Sequence, residues 1–250
     1  MTLSRRLLRV YHYAAHLLTW AVVVFIGVSL NLGCAVLLLA RHRDRHGPAV
    51  RTAIRRLFSA GCAWLRVARL VYIRFRGFTP EALAGPAVYV ANHPGMLDAP
   101  FILARLPDAI CIFKPAFMSN PVLGAAALVA GYAAGTNGVD VIRDVASRVS
   151  AGRSLLIFPE GTRTVAGATL NPLKPGFALI AARARVPVRV IVVRAPRDLA
   201  PKGWPWWRAP EFPSHVDITL VREIVPRERE TAVELTARVT REISSALAAP

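Results

Sequence analysis

The chain has 250 residues, enough for one or two domains with a full hydrophobic core. Apolar residues make up 54% and charged residues 19%, with a mean hydropathy of +0.40, which excludes a largely disordered or fibrous protein and disfavours a freely water-soluble one. The formal net charge is +17, and 29 of the 32 basic residues are Arg, whose planar fork suits phosphate-like partners, so anionic lipid, nucleic acid and a phosphorylated substrate all fit the total.

The position of the charge separates these classes. Residues 1–80 hold 13 Arg against Asp44 alone, whereas residues 81–250 hold 19 basic and 14 acidic residues. A nucleic-acid surface calls for basic residues interleaved with exposed aromatics in the folded part, and the excess lies elsewhere; no nucleic-acid partner is expected.

The excess surrounds an apolar stretch. Leu17 to Ala40 is 24 residues without a charge, and about 20 suffice to cross a bilayer core as a helix. Apolarity continues past Cys34, which a cleaved signal peptide would not require, so a retained membrane segment is expected. A buried core helix, or a re-entrant hairpin broken at Asn31-Leu32-Gly33, fits the same residues. Arg5, Arg6 and Arg9 precede the stretch, and Arg41, Arg43, Arg45, Arg51, Arg55 and Arg56 follow it. If the segment spans, this bias places the rest of the chain on the cytoplasmic side of the cytoplasmic (inner) membrane.

Val50, Ile54, Leu57, Phe58, Trp64, Leu65, Ala68, Val71 and Tyr72 recur at helical spacing, with Arg51, Arg55, Arg56, Arg66 and Arg69 between them. This predicts a basic amphipathic helix suited to a membrane surface, or an ordinary helix with a solvated basic face. Residues 1–70 thus form an N-terminal membrane-binding portion, and residues 71–250 a second domain. Beyond residue 70, β-rich runs at Val71 to Arg76, Val88 to Ala91, Ile110 to Phe113, Leu155 to Phe158, Val188 to Val193 and Val216 to Val221 alternate with helical candidates. The latter lie at Pro100 to Leu106, Pro121 to Ala130, Val141 to Ser150, Phe177 to Ala184 and Thr231 to Leu247. The alternation predicts an α/β fold, a mixed sheet with surrounding helices. The Pro- and Trp-rich stretch Ala195 to Pro213 reads as a long surface excursion. Cys34, Cys62 and Cys111 are far apart in apolar surroundings, a spacing of neither a disulfide framework nor a zinc site; a reduced compartment and no metal are expected.

Two post-strand loops carry chemistry. Asn92-His93-Pro94-Gly95-Met96-Leu97-Asp98 sets His93 and Asp98 on either side of a Pro-Gly turn, where an Asp on one imidazole nitrogen leaves the other as a base. Asp98, just before Ala99-Pro100, also suits a helix cap. Phe158-Pro159-Glu160-Gly161-Thr162-Arg163 offers close backbone approach at Gly161, a hydroxyl at Thr162 and a two-point phosphate grip at Arg163; Glu160 and Arg163 also suit a surface ion pair.

Together, the NHPGMLD and FPEGTR segments resemble the glycerolipid acyltransferase family typified by 1-acylglycerol-3-phosphate acyltransferases. Leu173-Lys174-Pro175-Gly176 and Val186-Pro187-Val188 look like later segments of that family. The resemblance implies transfer of a fatty acyl group from an acyl-CoA or acyl carrier protein thioester, a co-substrate, with no cofactor, to the hydroxyl of a lysolipid at an anionic membrane. The acceptor it points to first is 1-acylglycerol-3-phosphate, giving phosphatidate. His93 would be the general base and Asp98 its orienting partner. Asn92, Lys114, Glu160, Gly161, Thr162 and Arg163 would contact substrate. The same transfer to a lyso-aminolipid or a specialised metabolite, or a non-catalytic lipid-binding or membrane adaptor role, are the alternatives. The family's middle motif places an Arg where this chain reads Gly131 to Gly138 without one; Arg143 follows five residues later. Val186-Pro187-Val188-Arg189-Val190 lacks the usual second Pro.

Overall fold

The computed structural model describes residues 3–39, 43–135, 138–196, 199, 203, 205 and 207–249. Ala40 and Arg41, at the end of the apolar stretch, and Thr136 and Asn137 of the middle segment lie outside the described residues, as does part of the 195–213 stretch.

The apolar stretch lies in one 37-residue helix, α1 (Leu3–Leu39), about 55 Å long. It is long and apolar enough to cross a membrane and runs unbroken through Asn31-Leu32-Gly33, which removes the hairpin alternative. Leu18, Val22, Phe25, Leu32 and Val36 are exposed on one face, so α1 is not a buried core helix either. Its opposite face packs on the rest of the chain. The Tyr11 hydroxyl donates to Ala68 O, His12 and His16 flank Phe212 at 5.8 and 5.7 Å, and Trp64 Nε1 donates to Thr19 Oγ1. Further along, a Cβ at Gly27 would run into Val122, and Asn31 Oδ1 accepts from Ala126 N at 3.0 Å.

Helix α2 (Gly47–Val67) begins with Pro at its start and ends earlier than its apolar spacing predicts. Ala68 caps it, Arg69 turns the chain at φ +54°, and Val71 and Tyr72 belong to strand β1 (Val71–Arg76), paired with Ser214 and His215. Arg51 also departs from expectation. Rather than facing a membrane surface, it is buried; its Nε donates to Asp108 at 2.6 Å and its Nη1 to Ala130 O at 2.8 Å. A guanidinium in the interior persists because those acceptors replace water.

The remaining elements are β2 (Val88–Ala91), α3 (Asp98–Leu103), β3 (Ala109–Phe113), α4 (Gly124–Val129), β4 (Ala133–Ala134), α5 (Val139–Ser150), β5 (Ser154–Ile157), α6 (Gly176–Ala184), β6 (Val188–Arg194), β7 (Ser214–Ile224) and α7 (Ala232–Ala248). All six predicted strands are present; β4, only two residues long, carries no readable pattern. Helix α7 starts at a capping box in which Thr231 and Glu234 satisfy each other's backbone amides.

The seven strands form one sheet in the order β1-β7-β6-β2-β5-β3-β4. Pairing is parallel except between β6 and β7, so the sheet is mixed, as the alternation predicts. Every residue of β2 is buried, matching its unbroken apolar run, as are the first six of β6, whose apolar run is interrupted by Arg189 alone. Helix α6 packs between α5 and α7, and α2 packs on α3. Buried Arg189 of β6 ties three neighbours: it donates to Glu223 of β7 at 2.7 Å, to the Tyr89 hydroxyl of β2 at 2.9 Å and to Ala84 O. The 195–213 stretch is not purely superficial, because Leu199 is buried and Phe212 meets α1.

Arg51→Met removes the buried guanidinium but keeps its stem. The expected cost is about 2 kcal/mol, read as a fall in Tm of roughly 4–8 °C, since half-exposed Asp108 regains water while Ala130 O loses its partner.

Candidate active site

Strands β2 and β5 are neighbours and parallel, with Val90 opposite Ile157. The loops that follow them therefore leave the same edge of the sheet, where open α/β folds place their chemistry. Strand β3 pairs with β5 on its other side, so Lys114, just past Phe113, opens on that edge as well, and it is exposed.

The first loop departs from the sheet at Asn92. Its side chain takes over the strand pairing: Nδ2 donates to Val193 O at 2.9 Å, and Oδ1 accepts from Val193 N at 2.7 Å. The side-chain amide satisfies β6 where the β2 backbone has turned away. Asn92 is buried and committed to this contact.

His93 follows. Its Nδ1 lies 2.8 Å from Asp98 Oδ2, and its ring stacks on Phe158 with centroids 4.1 Å apart and planes 24° from parallel. Asp98 is buried at the start of α3, yet it does not cap that helix: Leu97 holds the cap position without a side-chain bond, and Asp98 Oδ2 instead accepts from His93 and from Gly95 N at 2.7 Å. Burial pushes the Asp98 carboxyl above the usual carboxylate range, while the His93 and Gly95 hydrogen bonds pull it back. An ionised carboxylate only accepts, so Nδ1 carries the proton and Nε2 is left with its lone pair. The turn supplies few donors of its own. Pro94 has no N–H, and the amides of His93 and Gly95 are spent on Glu160 and Asp98.

The second loop is built around Glu160, which is 5% exposed and is no surface ion-pair partner. Its Oε1 accepts from His93 N at 2.7 Å, its Oε2 from Asn171 N at 2.9 Å, and both oxygens lie 3.0 Å from Thr164 Oγ1. Thr164 N in turn donates to His93 O at 2.8 Å. The second loop thus holds both backbone polar groups of His93. Gly161 adopts φ +68°, a left-handed turn that glycine accommodates without strain. Thr162 and Arg163 are half-buried on the same turn, and Asn171 Nδ2 donates to Arg163 O.

Of the residues singled out in the sequence, His93, Asp98, Glu160, Gly161, Thr162 and Arg163 come together at these two loops, with Asn92 behind them and Lys114 beyond β5. Arg143 is exposed on the outer face of α5, 3.7 Å from Asp140. Sequence reasoning gave no role to Phe158, Asn171 or the Lys174 side chain. Phe158 stands directly before the Pro-Glu-Gly turn, and an aromatic there was the readable signal. Asn171 and Lys174 act across a loop whose closure no local spacing reveals.

A family model described as Acyltransferase matches residues 72–194. The chloroplastic 1-acyl-sn-glycerol-3-phosphate acyltransferase BAT2 of Brassica napus is 33% identical over 123 residues, 47% of this chain and 36% of that protein. This chain spans about a third of the length of the first curated relatives it matches. The lyso-ornithine lipid O-acyltransferase of Pseudomonas aeruginosa is 31% identical over 178 residues, 70% of this chain and 67% of that protein. The crystal structure of the 1-acyl-sn-glycerophosphate (LPA) acyltransferase PlsC from Thermotoga maritima superposes with a TM-score of 0.71 at 21% identity, covering 97% of both chains, and shares the fold. On the match to its central sheet, and on an alignment that runs through both site loops and most of the chain, this protein belongs to the glycerolipid acyltransferase family.

Proposed function

We propose that this chain is a membrane-associated O-acyltransferase that moves a fatty acyl group from an acyl-CoA or acyl carrier protein thioester to the hydroxyl of a lysolipid, with 1-acylglycerol-3-phosphate as acceptor and phosphatidate as product. The observation that carries the reading is the 2.8 Å His93 Nδ1 to Asp98 contact, braced from behind by Glu160. A thioester is already activated, so the missing element is a base. The acceptor oxygen attacks the thioester carbonyl carbon while its proton passes to His93 Nε2, and Asp98 stabilises the imidazolium. The tetrahedral oxyanion collapses, the carbon–sulfur bond breaks, and the thiolate recovers that proton from His93. Such acid–base help is worth about 10² to 10⁴ in rate. Arg163 holds the acceptor head group, and Lys114 contributes charge at the same edge of the sheet.

A lyso-aminolipid acceptor is the second reading. The relative from Pseudomonas aeruginosa favours it, since it aligns with 70% of this chain against 47% for the plant relative. The absent middle-motif Arg points the same way. The apolar outer face of α1, flanked by Arg, supports membrane attachment, and the Arg bias supports a cytoplasmic site at the inner membrane.

His93→Ala lowers transfer by roughly 10³-fold or more in an acyl-thioester assay while far-UV circular dichroism shows the fold retained; full activity would end the mechanism. Asp98→Asn keeps an oxygen for the His93 and Gly95 donors but removes the charge, so kcat falls by about 10²-fold or more. Its stability moves the other way. A buried carboxyl with a raised folded-state pKa costs stability as pH climbs past the unfolded value near 3.8, so Asp98→Asn melts at or above the wild-type temperature at pH 7, and the difference vanishes in acid. Glu160→Gln turns an acceptor into a donor facing the His93 or Asn171 N–H, costing about 1–3 kcal/mol and activity together. Phe25→Asp with Leu32→Asp, on the exposed outer face of α1, releases the protein from anionic vesicles in flotation, because burial of the apolar face is lost and the new charges are repelled, without lowering activity toward short-chain soluble substrates.

A further inference from the structure

Lys174 belongs to the site although nothing in the residue spacing places it there. Its backbone N–H donates to Pro159 O at 2.9 Å, and the preceding Asn171 bonds to Glu160 and to Arg163 O, so residues 171–174 close back over the Glu160-Gly161-Thr162-Arg163 turn. From there the side chain lies across Gly161: a Cβ on that glycine would stand 3.1 Å from Lys174 Nζ and 3.3 Å from its Cε. The ammonium is at the exposed surface, and among the described residues it has no ion-pair partner. The other cations near the sequence gap are placed differently. Arg143 sits beside Asp140 on α5, Arg148 of the same helix is bonded to Asp144 and to Gly131 O, and Lys114 follows β3, two strands or roughly 10 Å across the sheet from β2.

We propose that Lys174 is a head-group-binding residue that, with Arg163, forms a two-cation grip for an anionic oxygen group of the acceptor, supplying the charge that the middle segment of this chain lacks. This rests on the reading that the Gly161 turn receives the acceptor. Arg contributes a planar fork and Lys a mobile point charge, and together they match a phosphate monoester or a carboxylate better than either alone. Glycine at 161 then has two reasons: its left-handed backbone, and the room it leaves for the lysine stem.

The test uses the full-length protein in detergent micelles with Lys174→Met, which keeps an apolar stem, Lys174→Arg and Arg163→Ala. Acceptors are lysophosphatidic acid, a lyso-ornithine lipid bearing a carboxylate, and uncharged monoacylglycerol; glycerol 3-phosphate binding is followed separately by calorimetry. Lys174→Met is expected to raise KM for the anionic acceptor by about 10- to 100-fold, the worth of one charge-assisted hydrogen bond, with kcat within about threefold. Lys174→Arg recovers most of the loss, and monoacylglycerol is unaffected. Which anionic acceptor responds identifies the phosphate or carboxylate source. If KM rises in Arg163→Ala but not in Lys174→Met, the lysine assignment is overturned and the site reading stands. If the wild type acylates neither anionic lipid, yet glycerol 3-phosphate binding weakens tenfold in Lys174→Met, the grip stands and the proposed activity fails. Binding and KM indifferent to both residues overturn both.

Discussion

Glu160 accepts hydrogen bonds from the amides of His93 and Asn171 and from the Thr164 hydroxyl, and the alignment of two loops on adjacent strands depends on that one carboxylate. A carboxylate this buried is tolerable only because several donors converge on it. Each of them comes from a segment the site needs: the loop after β2, the turn after β5 and the return limb that ends in Lys174. Without it, His93 and Arg163 would ride on two independent loops, each free to shift by more than the few tenths of an ångström that proton transfer tolerates.

The sheet holds its opposite edge by the same physics. Arg189 bonds to Glu223, Tyr89 and Ala84 O, joining β6 to β7, β2 and the loop ahead of β2. Asn92 performs the neutral version of the task at the site edge, pairing with Val193 through a side-chain amide. The central strands β2 and β6 are thus fastened at both ends by polar side chains inside an apolar interior. Such networks are stabilising only when every member is satisfied, which makes these residues poor candidates for neutral substitution.

The strand pattern, the mixed sheet and the two loops were legible because they follow from local composition: apolar runs bounded by turn residues, then a strand that ends in a polar motif. What spacing could not express was long-range partnership. Arg51 looked like one more basic residue on an amphipathic face, yet its partner Asp108 is 57 residues away. Glu160 looked like a surface charge or a substrate contact because its nearest sequence neighbour of opposite sign is Arg163, while its bonds run to His93 and Asn171. At the end of α2 two local patterns overlap: Val71 and Tyr72 fit both the helical period and the β-rich run Val71 to Arg76, and pairing with Ser214 and His215 of β7 decides for the strand.

The stack of His93 on Phe158 bears on how the imidazole behaves in time. One face of the ring is covered by an aromatic plane, and Nδ1 is held by a carboxylate that also grips Gly95. Rotation about either side-chain bond would break both contacts at once. On the proposed mechanism, a proton accepted at Nε2 leaves from the same atom at the same place, and no ring flip intervenes between its arrival and its departure. Under the proposed reaction the base therefore needs no rearrangement between one proton and the next.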